Sequence, residues 1–452
     1  MAGKSADSDA PQIQIRFVTK QHYSKVVKCF FAHRSVLRTN GLPHILRYNY
    51  KFNKFSESKD VARETEFDFL VCREFLRTSL SDHISDRGLS TEEVIDVEYL
   101  EKHPPPEPQD CLIHDDWVSA VAVCERWILT GCYDNTLHIW TAKGAHQLTI
   151  PGHTSPIKAV AWISLDLETG TFVSASQDQT AIIWNWSIAN NSVDCIHVCK
   201  GHSQSLEAVG VNHDGSTMAT GSWDTMLKIW STYDDDDGES TSKRSKTEHG
   251  KTRVSNARYF FGSIRLINVS VVVADRQTPK RTMKGHKEAI SGVVWSDTAE
   301  IVTSSWDHTL KIWDSELGGM KHEIPGNKSF FDVDYSRLSR AVITASADRH
   351  VRLYDPRSTE GSVVKAMFTS HTQWVQTVRW STTDEHLFIS GAYDNNLKLW
   401  DTRSPKAPLY DLSGHEDKVL SSNWSNPKLM VSGGADNTVR IFKSKHALDD
   451  NN

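Results

Sequence analysis

Three groups of residues in this chain have types and spacings that could do chemistry. Two neighbouring glutamates, Glu92 and Glu93, stand in GLSTEEVIDVEY (88–99), a polar loop before an alternating strand. A carboxylate there can be a solvated loop acid or a local backbone cap. It can also be a ligand presented to a metal ion or an arginine on another molecule. The second group, CIHVC (195–199), has no further ligand pair at zinc-site spacing, so no metal of the protein's own is expected. The third is a series of histidines and aspartates that recurs in phase. A lone His and Asp would suggest a catalytic dyad, but the recurrence changes the reading.

The recurring block reads GCYDNTLHIW (131–140), SASQDQTAIIW (174–184), GSWDTMLKIW (221–230), SSWDHTLKIW (304–313), SASADRHVRLY (344–354), GAYDNNLKLW (391–400) and GGADNTVRIF (433–442). A Gly-His pair precedes four of the blocks, at 152–153, 201–202, 285–286 and 414–415. It degrades to IH at 113–114, GN at 326–327 and SH at 370–371. Block-closing aromatics spaced 41 to 46 residues apart, apart from one long gap, are the signature of WD repeats, with four strands per propeller blade. Seven copies predict seven blades. The turn aspartates are Asp134, Asp178, Asp224, Asp307, Asp348, Asp394 and Asp436. Each opens a tight turn in which its carboxylate accepts from nearby backbone N–H groups, a structural role. The resemblance to WD repeats implies a hydrogen-bonded chain of His, Ser/Thr, Asp and Trp within a blade, expected to be most complete in blade four through His286, Asp307 and Trp313. Only KSKHALDDNN follows Phe442, so residues 106–114 must supply the outer strand of blade seven and close the ring.

Composition fits this organisation. The chain has 452 residues, is 38% hydrophobic and 24% charged, and carries a formal net charge of −6. These values predict ordinary globular domains and exclude general nucleic-acid adhesion across the surface. The polar start MAGKSADSDAPQ has no apolar core of a signal peptide, and no apolar run is long enough to span a bilayer. Seven scattered cysteines predict buried thiols in a reducing compartment rather than a disulfide frame.

The domain boundaries read as a tail (1–12), an N-terminal domain (13–100), a Pro-rich linker (101–109), a propeller (110–443) with an insertion at 231–280, and a tail (444–452). The insertion starts with a charged, Gly/Ser-containing run at 231–253 that cannot order itself. Its KRSK (243–246) is either solvated loop or part of a nuclear-import signal. It continues into the apolar, β-prone stretch 258–274. In the N-terminal domain, IQIRFVTK (13–20) alternates like a strand and NGLPHILRYNY (40–50) has helical spacing. The stretch 67–100 reads as a strand, a turn, a short strand, SLSDHI, a polar loop and a last strand. That order resembles the second half of ubiquitin, so the fold expected is mainly β: a ubiquitin-like β-grasp domain followed by a seven-bladed WD propeller.

This combination resembles the ribosome-biogenesis WD-repeat protein of the PeBoW complex, the Ytm-type family. The residues that carry the resemblance are IQIRFVTK, FDFLV…LRTSLSDHI…GLSTEEVIDVEY, DDWVSAV and GHTSPIKAVAW. Notchless-type factors share the N-terminal domain but have eight blades. The resemblance implies no enzymatic activity and no cofactor. It implies an assembly factor of the large (60S) ribosomal subunit, in the nucleolus and nucleoplasm. The implied partners are Bop-type and Pescadillo-type proteins, with the AAA ATPase midasin grasping the ubiquitin-like domain on pre-60S particles. By position in GLSTEE, it implies that Glu92 contacts a metal held by midasin. A substrate adaptor of a ubiquitin ligase is the rival class. From the residues themselves, an aromatic partner-binding face is expected at Trp117, Tyr133, Trp223, Trp306, Phe330, Trp374 and Tyr393. These positions stand just before the turn aspartates or three residues after the His markers, alongside Gln177, Ala347, Ala435, Pro156 and Lys418.

Overall fold

The computed structural model describes residues 13–18, 28–32, 67–76, 80–90, 95–233, 275–357 and 364–444. They fall into two compact units, one of residues 1–104 with 403–407, the other of residues 105–402 with 408–452.

In the first unit, strands Ile13–Val18, Lys28–Ala32, Phe67–Val71, Glu74–Phe75 and Ile95–Glu101 make one sheet. In chain order the strands lie 2-1-5-3-4. The first and last are parallel neighbours at its centre, with Ile15 opposite Ile95 and Phe17 opposite Val97. This is β-grasp topology. A helix, Leu80–Arg87, follows the short fourth strand, with Asp82 in its first turn and Arg87 in its last, where each suits the helix dipole. Leu80 and Ile84, one helical turn apart, are buried together with Val71 and Val97 of the sheet. The helix expected over 40–50 lies outside the described residues.

In the second unit, seven sheets each contain four strands in simple antiparallel succession. Blade one runs from Val118 to Pro151, blade two from Ile157 to Lys200 and blade four from Ile290 to Pro325. Blade seven takes its three inner strands from Val419 to Lys443. Its fourth is Glu107–Ile113, which pairs antiparallel with Thr438–Lys443 from Thr438 opposite Ile113 to Lys443 opposite Glu107. The ring is thus stitched by its own N-terminal strand, which takes in the last residues of the Pro-rich stretch 101–109 and removes an unpaired edge. Blade two carries a fifth strand, Asp275–Gln277, parallel to its outer strand, with Val198 opposite Arg276. The chain returning from the insertion therefore covers one blade edge. KRSK (243–246) and the stretch 258–274 lie outside the described residues.

The cores lie between adjacent sheets, built from the alternating inward residues of the strands. The block-closing Trp184, Trp230, Trp313 and Trp400 are almost completely buried. Close approach is written into the glycines beside them. A Cβ at Gly152 would come within 2.4 Å of the Trp184 ring, and one at Gly285 within 2.9 Å of the Trp313 ring.

Candidate functional site

The seven turns share one geometry. The residue after each Asp (Asn135, Gln179, Thr225, His308, Arg349, Asn395, Asn437) has φ between 61° and 71°, in the left-handed region. A non-glycine residue there is strained. The aspartate offsets that strain by accepting the backbone N–H two residues on, as from Thr136, Thr180, Met226, Thr309 and Thr438.

Behind four of the turns a full side-chain relay forms. In blade four, His286 Nδ1 lies 2.8 Å from Asp307 Oδ2, His286 Nε2 lies 2.7 Å from Thr303 Oγ1, and Trp313 Nε1 donates to the same hydroxyl at 2.8 Å. Blade two repeats it with His153, Asp178, Ser174 and Trp184, blade three with His202, Asp224, Thr220 and Trp230, and blade six with His371, Asp394, Ser390 and Trp400. Blade four is therefore not the most complete. Four blades are equally so, because SH in blade six keeps the histidine that matters. Blade seven stops at Ser432, since Phe442 has no donor. In blade five Asp348 is held by Arg352 instead. Burial works against the aspartates' charge, yet the His and Thr bonds hold Asp178 down at about 2, and Asp307 and Asp436 also well below the usual range. The histidines are buried and their ring nitrogens are held within the blade, so these dyads act as struts.

The recess at the mouth of the propeller is different. It has a volume of about 600 Å³ and is lined by the innermost strands of all seven blades. Along its rim five rings from four blades touch in series. Trp223 meets Trp306 at 4.8 Å, Trp306 meets Phe331 at 6.0 Å, Phe331 meets Trp374 at 5.6 Å, and Trp374 meets Tyr393 at 5.8 Å between centroids. Trp117 and Tyr133 make a separate pair at 5.3 Å. Trp117, Trp223 and Trp374 are 41%, 39% and 50% exposed, whereas the block-closing tryptophans are buried. Charges are set between the rings. Lys158 Nζ lies 3.1 Å from the Tyr133 hydroxyl and 3.3 Å from Glu207, which also accepts from Trp223 Nε1 at 2.8 Å. Burial works against the Lys158 ammonium, but Glu207 and Tyr133 hold it protonated, above the usual lysine range. Lys418 stands over the Tyr393 ring at 5.2 Å. Arg379 is paired with Asp332 at the floor. The recess is thus an aromatic arc with fixed charges, suited to gripping a protein surface.

Tyr133, Trp223, Trp306, Trp374 and Tyr393 all line this recess, and Trp117 flanks it through Tyr133. Phe330 does not belong to it. Its side chain is 1% exposed and packs between blades with Val302, Ile324 and Tyr354. The cause is a shorter loop. Elsewhere the residue before the turn Asp donates its N–H to the carbonyl three after the marker His, as Tyr393 does to Trp374 and Gln177 to Pro156. In blade five Ala347 donates to Ser329. One residue is missing after Asn327, so Phe330 becomes the first inward strand residue and Phe331 takes the rim. Ala435 is also buried rather than presented. The residues missed from sequence, Lys158, Glu207 and Phe331, follow the first inward residue of their strands, as Ser119, Ser291, Gln376 and Leu420 do in the other blades, and all seven line the recess. Strand alternation counted from that buried residue would have found them. Glu92 lies outside the described residues.

Comparison with known proteins agrees with this architecture. The family model for the WD domain, G-beta repeat, matches residues 107–141, 144–185, 193–231, 277–314, 362–401 and 406–443. The three inner strands of blade five, with its marker degraded to Gly-Asn and its relay replaced, fall outside the matched segments. The chain is 53% identical over 437 residues to the Ribosome biogenesis protein WDR12 homolog of Drosophila erecta, covering 97% of this chain and 96% of that protein. It is 51% identical over 451 residues to the homolog of Aedes aegypti, covering 99% of each. Identity at this level across both the N-terminal unit and the propeller means that the chain belongs to the WDR12 family of ribosome biogenesis WD-repeat proteins.

Proposed function

We propose that this protein is a non-enzymatic assembly factor of the large ribosomal subunit, acting in rRNA processing within nucleolar and nucleoplasmic pre-60S particles. Its propeller holds a Bop-type partner in a complex with a Pescadillo-type protein. Its N-terminal domain is the handle by which midasin removes it, through Glu92 and a metal ion that midasin holds. Magnesium takes carboxylate oxygens, which suits a glutamate in a polar loop. The observation that carries the partner reading is the continuous aromatic arc from Trp223 to Tyr393, with Trp223 and Trp374 exposed beside fixed charges. Such exposure in a folded protein marks a binding surface. Seven blades favour this reading over a Notchless-type factor.

The test is binding of the full chain to a Bop-type propeller. Trp374→Ala and Trp306→Ala should each weaken it by more than about 1 kcal/mol, the threshold of an interface anchor. If both leave affinity unchanged while the proteins stay folded, the face is wrong. Recovery of ubiquitin-ligase subunits with the protein, in place of pre-60S factors, would favour the adaptor reading. For the handle, Glu92→Ala should abolish capture by midasin's metal-containing domain in magnesium and leave Bop-type binding intact, with Glu93→Ala as the control.

A further inference from the structure

Blade one departs from its sisters at one place. His114 is its marker histidine, and Nε2 finds Thr130 Oγ1 at 2.9 Å as the relay requires. Its Nδ1, however, has no partner, and neither has Trp140 Nε1, although both residues are at least nine-tenths buried. Asp134 spends Oδ1 on the backbone and hydroxyl of Thr136. Orphaned buried donors and acceptors are uncommon and costly.

Two substitutions relative to the other blades surround the vacancy. Cys132 stands where blades two to five have Ser176, Ser222, Ser305 and Ser346, as the strand pairings show. His138 stands where blades three, four and six have Lys228, Lys311 and Lys398 and blade two has Ile182. His138 turns inward: its ring lies 5.0 Å from that of His114, edge to face. His114, Cys132 and His138, all buried, each bring one donor atom within 4.8 Å of the others. Burial depresses both histidines to about 3, helped by the charge of His138 on His114 and of His146 on His138.

We propose that His114, Cys132 and His138 form a zinc site in blade one. Two imidazoles and a thiolate are the donors that zinc prefers, and they are too soft for magnesium or calcium. Zinc has no ligand-field preference, so it tolerates a site not laid out in advance. The donors must draw in by roughly 1 Å to reach bonds of about 2.0–2.3 Å. Thr130 lies 2.9 Å from His114 Nε2 and holds that ring with Nδ1 turned away from the hydroxyl, and Thr136 lies 2.9 Å from His138 Nε2, while His138 Nδ1 would exchange its contact with Thr149 Oγ1, at 3.1 Å, for the ion. His146, whose Nε2 is 3.3 Å from His138 Nδ1, stands at the exposed side, where a fourth ligand or a water would sit. Cys132 loses its thiol proton to solvent as zinc binds, so one proton leaves per ion. The site replaces the missing His–Asp bond as the strut of the blade that also contacts the closing blade.

The experiment uses the full chain stripped of metal, titrated with zinc against a chromophoric chelator. The expected result is one ion per chain. Cys132→Ser and His138→Ile install the residues of sister blades, so both variants should fold. Each should lose more than the roughly 10–100-fold in zinc affinity typical of an outer-shell partner. Cobalt(II) added to the wild type should give sulfur-to-metal charge-transfer absorption that Cys132→Ser abolishes, although six other cysteines remain. Stoichiometry and affinity unchanged in both variants, or no zinc retained by the wild type against the chelator, would overturn the proposal. A wild-type chain whose thermal midpoint rises with zinc while that of Cys132→Ser does not would support it independently.

Discussion

Asp307→Ala and Asp134→Ala remove the same residue from the same turn in two blades, yet their costs should differ severalfold. In blade four the Asp307 carboxylate holds four groups: His286 Nδ1 at 2.8 Å, the N–H of Lys287 at 2.9 Å, the N–H of Thr309 at 3.0 Å and its hydroxyl at 2.7 Å. Lys287 is exposed, so water replaces that bond at little cost. His286 is only 6% exposed, and removing its partner strands a ring nitrogen in the core. A hydrogen bond to a charged group contributes roughly 1.5–3 kcal/mol, and a stranded buried group costs about 1–3. With the turn bonds to Thr309 added, Asp307→Ala should cost about 3–5 kcal/mol. In blade one, Asp134 holds only Thr136, through its N–H and hydroxyl at 2.9 and 2.7 Å. Its loss strands no histidine, and water reaches the partly exposed Thr136 to replace those bonds, so it should cost only about 1 kcal/mol. The assay is urea unfolding of both full-length variants and the wild type in chelator, followed by tryptophan fluorescence. Amide exchange of each blade guards against a transition that is not two-state. If Asp134→Ala destabilises as much as Asp307→Ala, the relay is not what makes the turn aspartate costly.

Phe330→Ala should lower stability by about 3–5 kcal/mol through an interblade cavity without entering the partner interface. Phe331→Ala should barely change stability and should weaken Bop-type binding, read by calorimetry. Deleting residues up to His114 removes the strand Glu107–Ile113 and leaves the edge of Thr438–Lys443 unpaired, so the truncated propeller should aggregate in size-exclusion chromatography. The folded-state values of Asp178, Asp307 and Asp436 lie below the ordinary 3.8. Their stabilisation is therefore complete above about pH 4; that of Asp178 is lost as pH falls through about 2, and that of Asp307 and Asp436 at still lower pH. For Asp178 the shift corresponds to about 2 kcal/mol, and an acid titration by circular dichroism should show stability falling over that window.

Local chemistry made the ring readable from the chain alone. Asp134 and its six counterparts, the Gly-His markers and the closing aromatics act within a few residues or one strand pairing of themselves, so spacing carries them. The missing outer strand after Phe442 was likewise a matter of counting, and residues 107–113 fill it. The rim was legible only where loops kept their length. Trp117, Tyr133, Trp223, Trp306, Trp374 and Tyr393 reach it, whereas one residue fewer after Asn327 moved every side chain of that strand to the opposite face. Phe330 went to the core and Phe331 to the recess, because a strand's side chains alternate with a period of two. Lys158 with Glu207 join side chains from two blades, and His114, Cys132 and His138 come from the approach to blade one and two of its strands. Their spacings match no ligand pattern, since a sheet brings its donors together across hydrogen-bonded strands and not along the chain, and only the assembled blade decides which buried nitrogen is left without a partner.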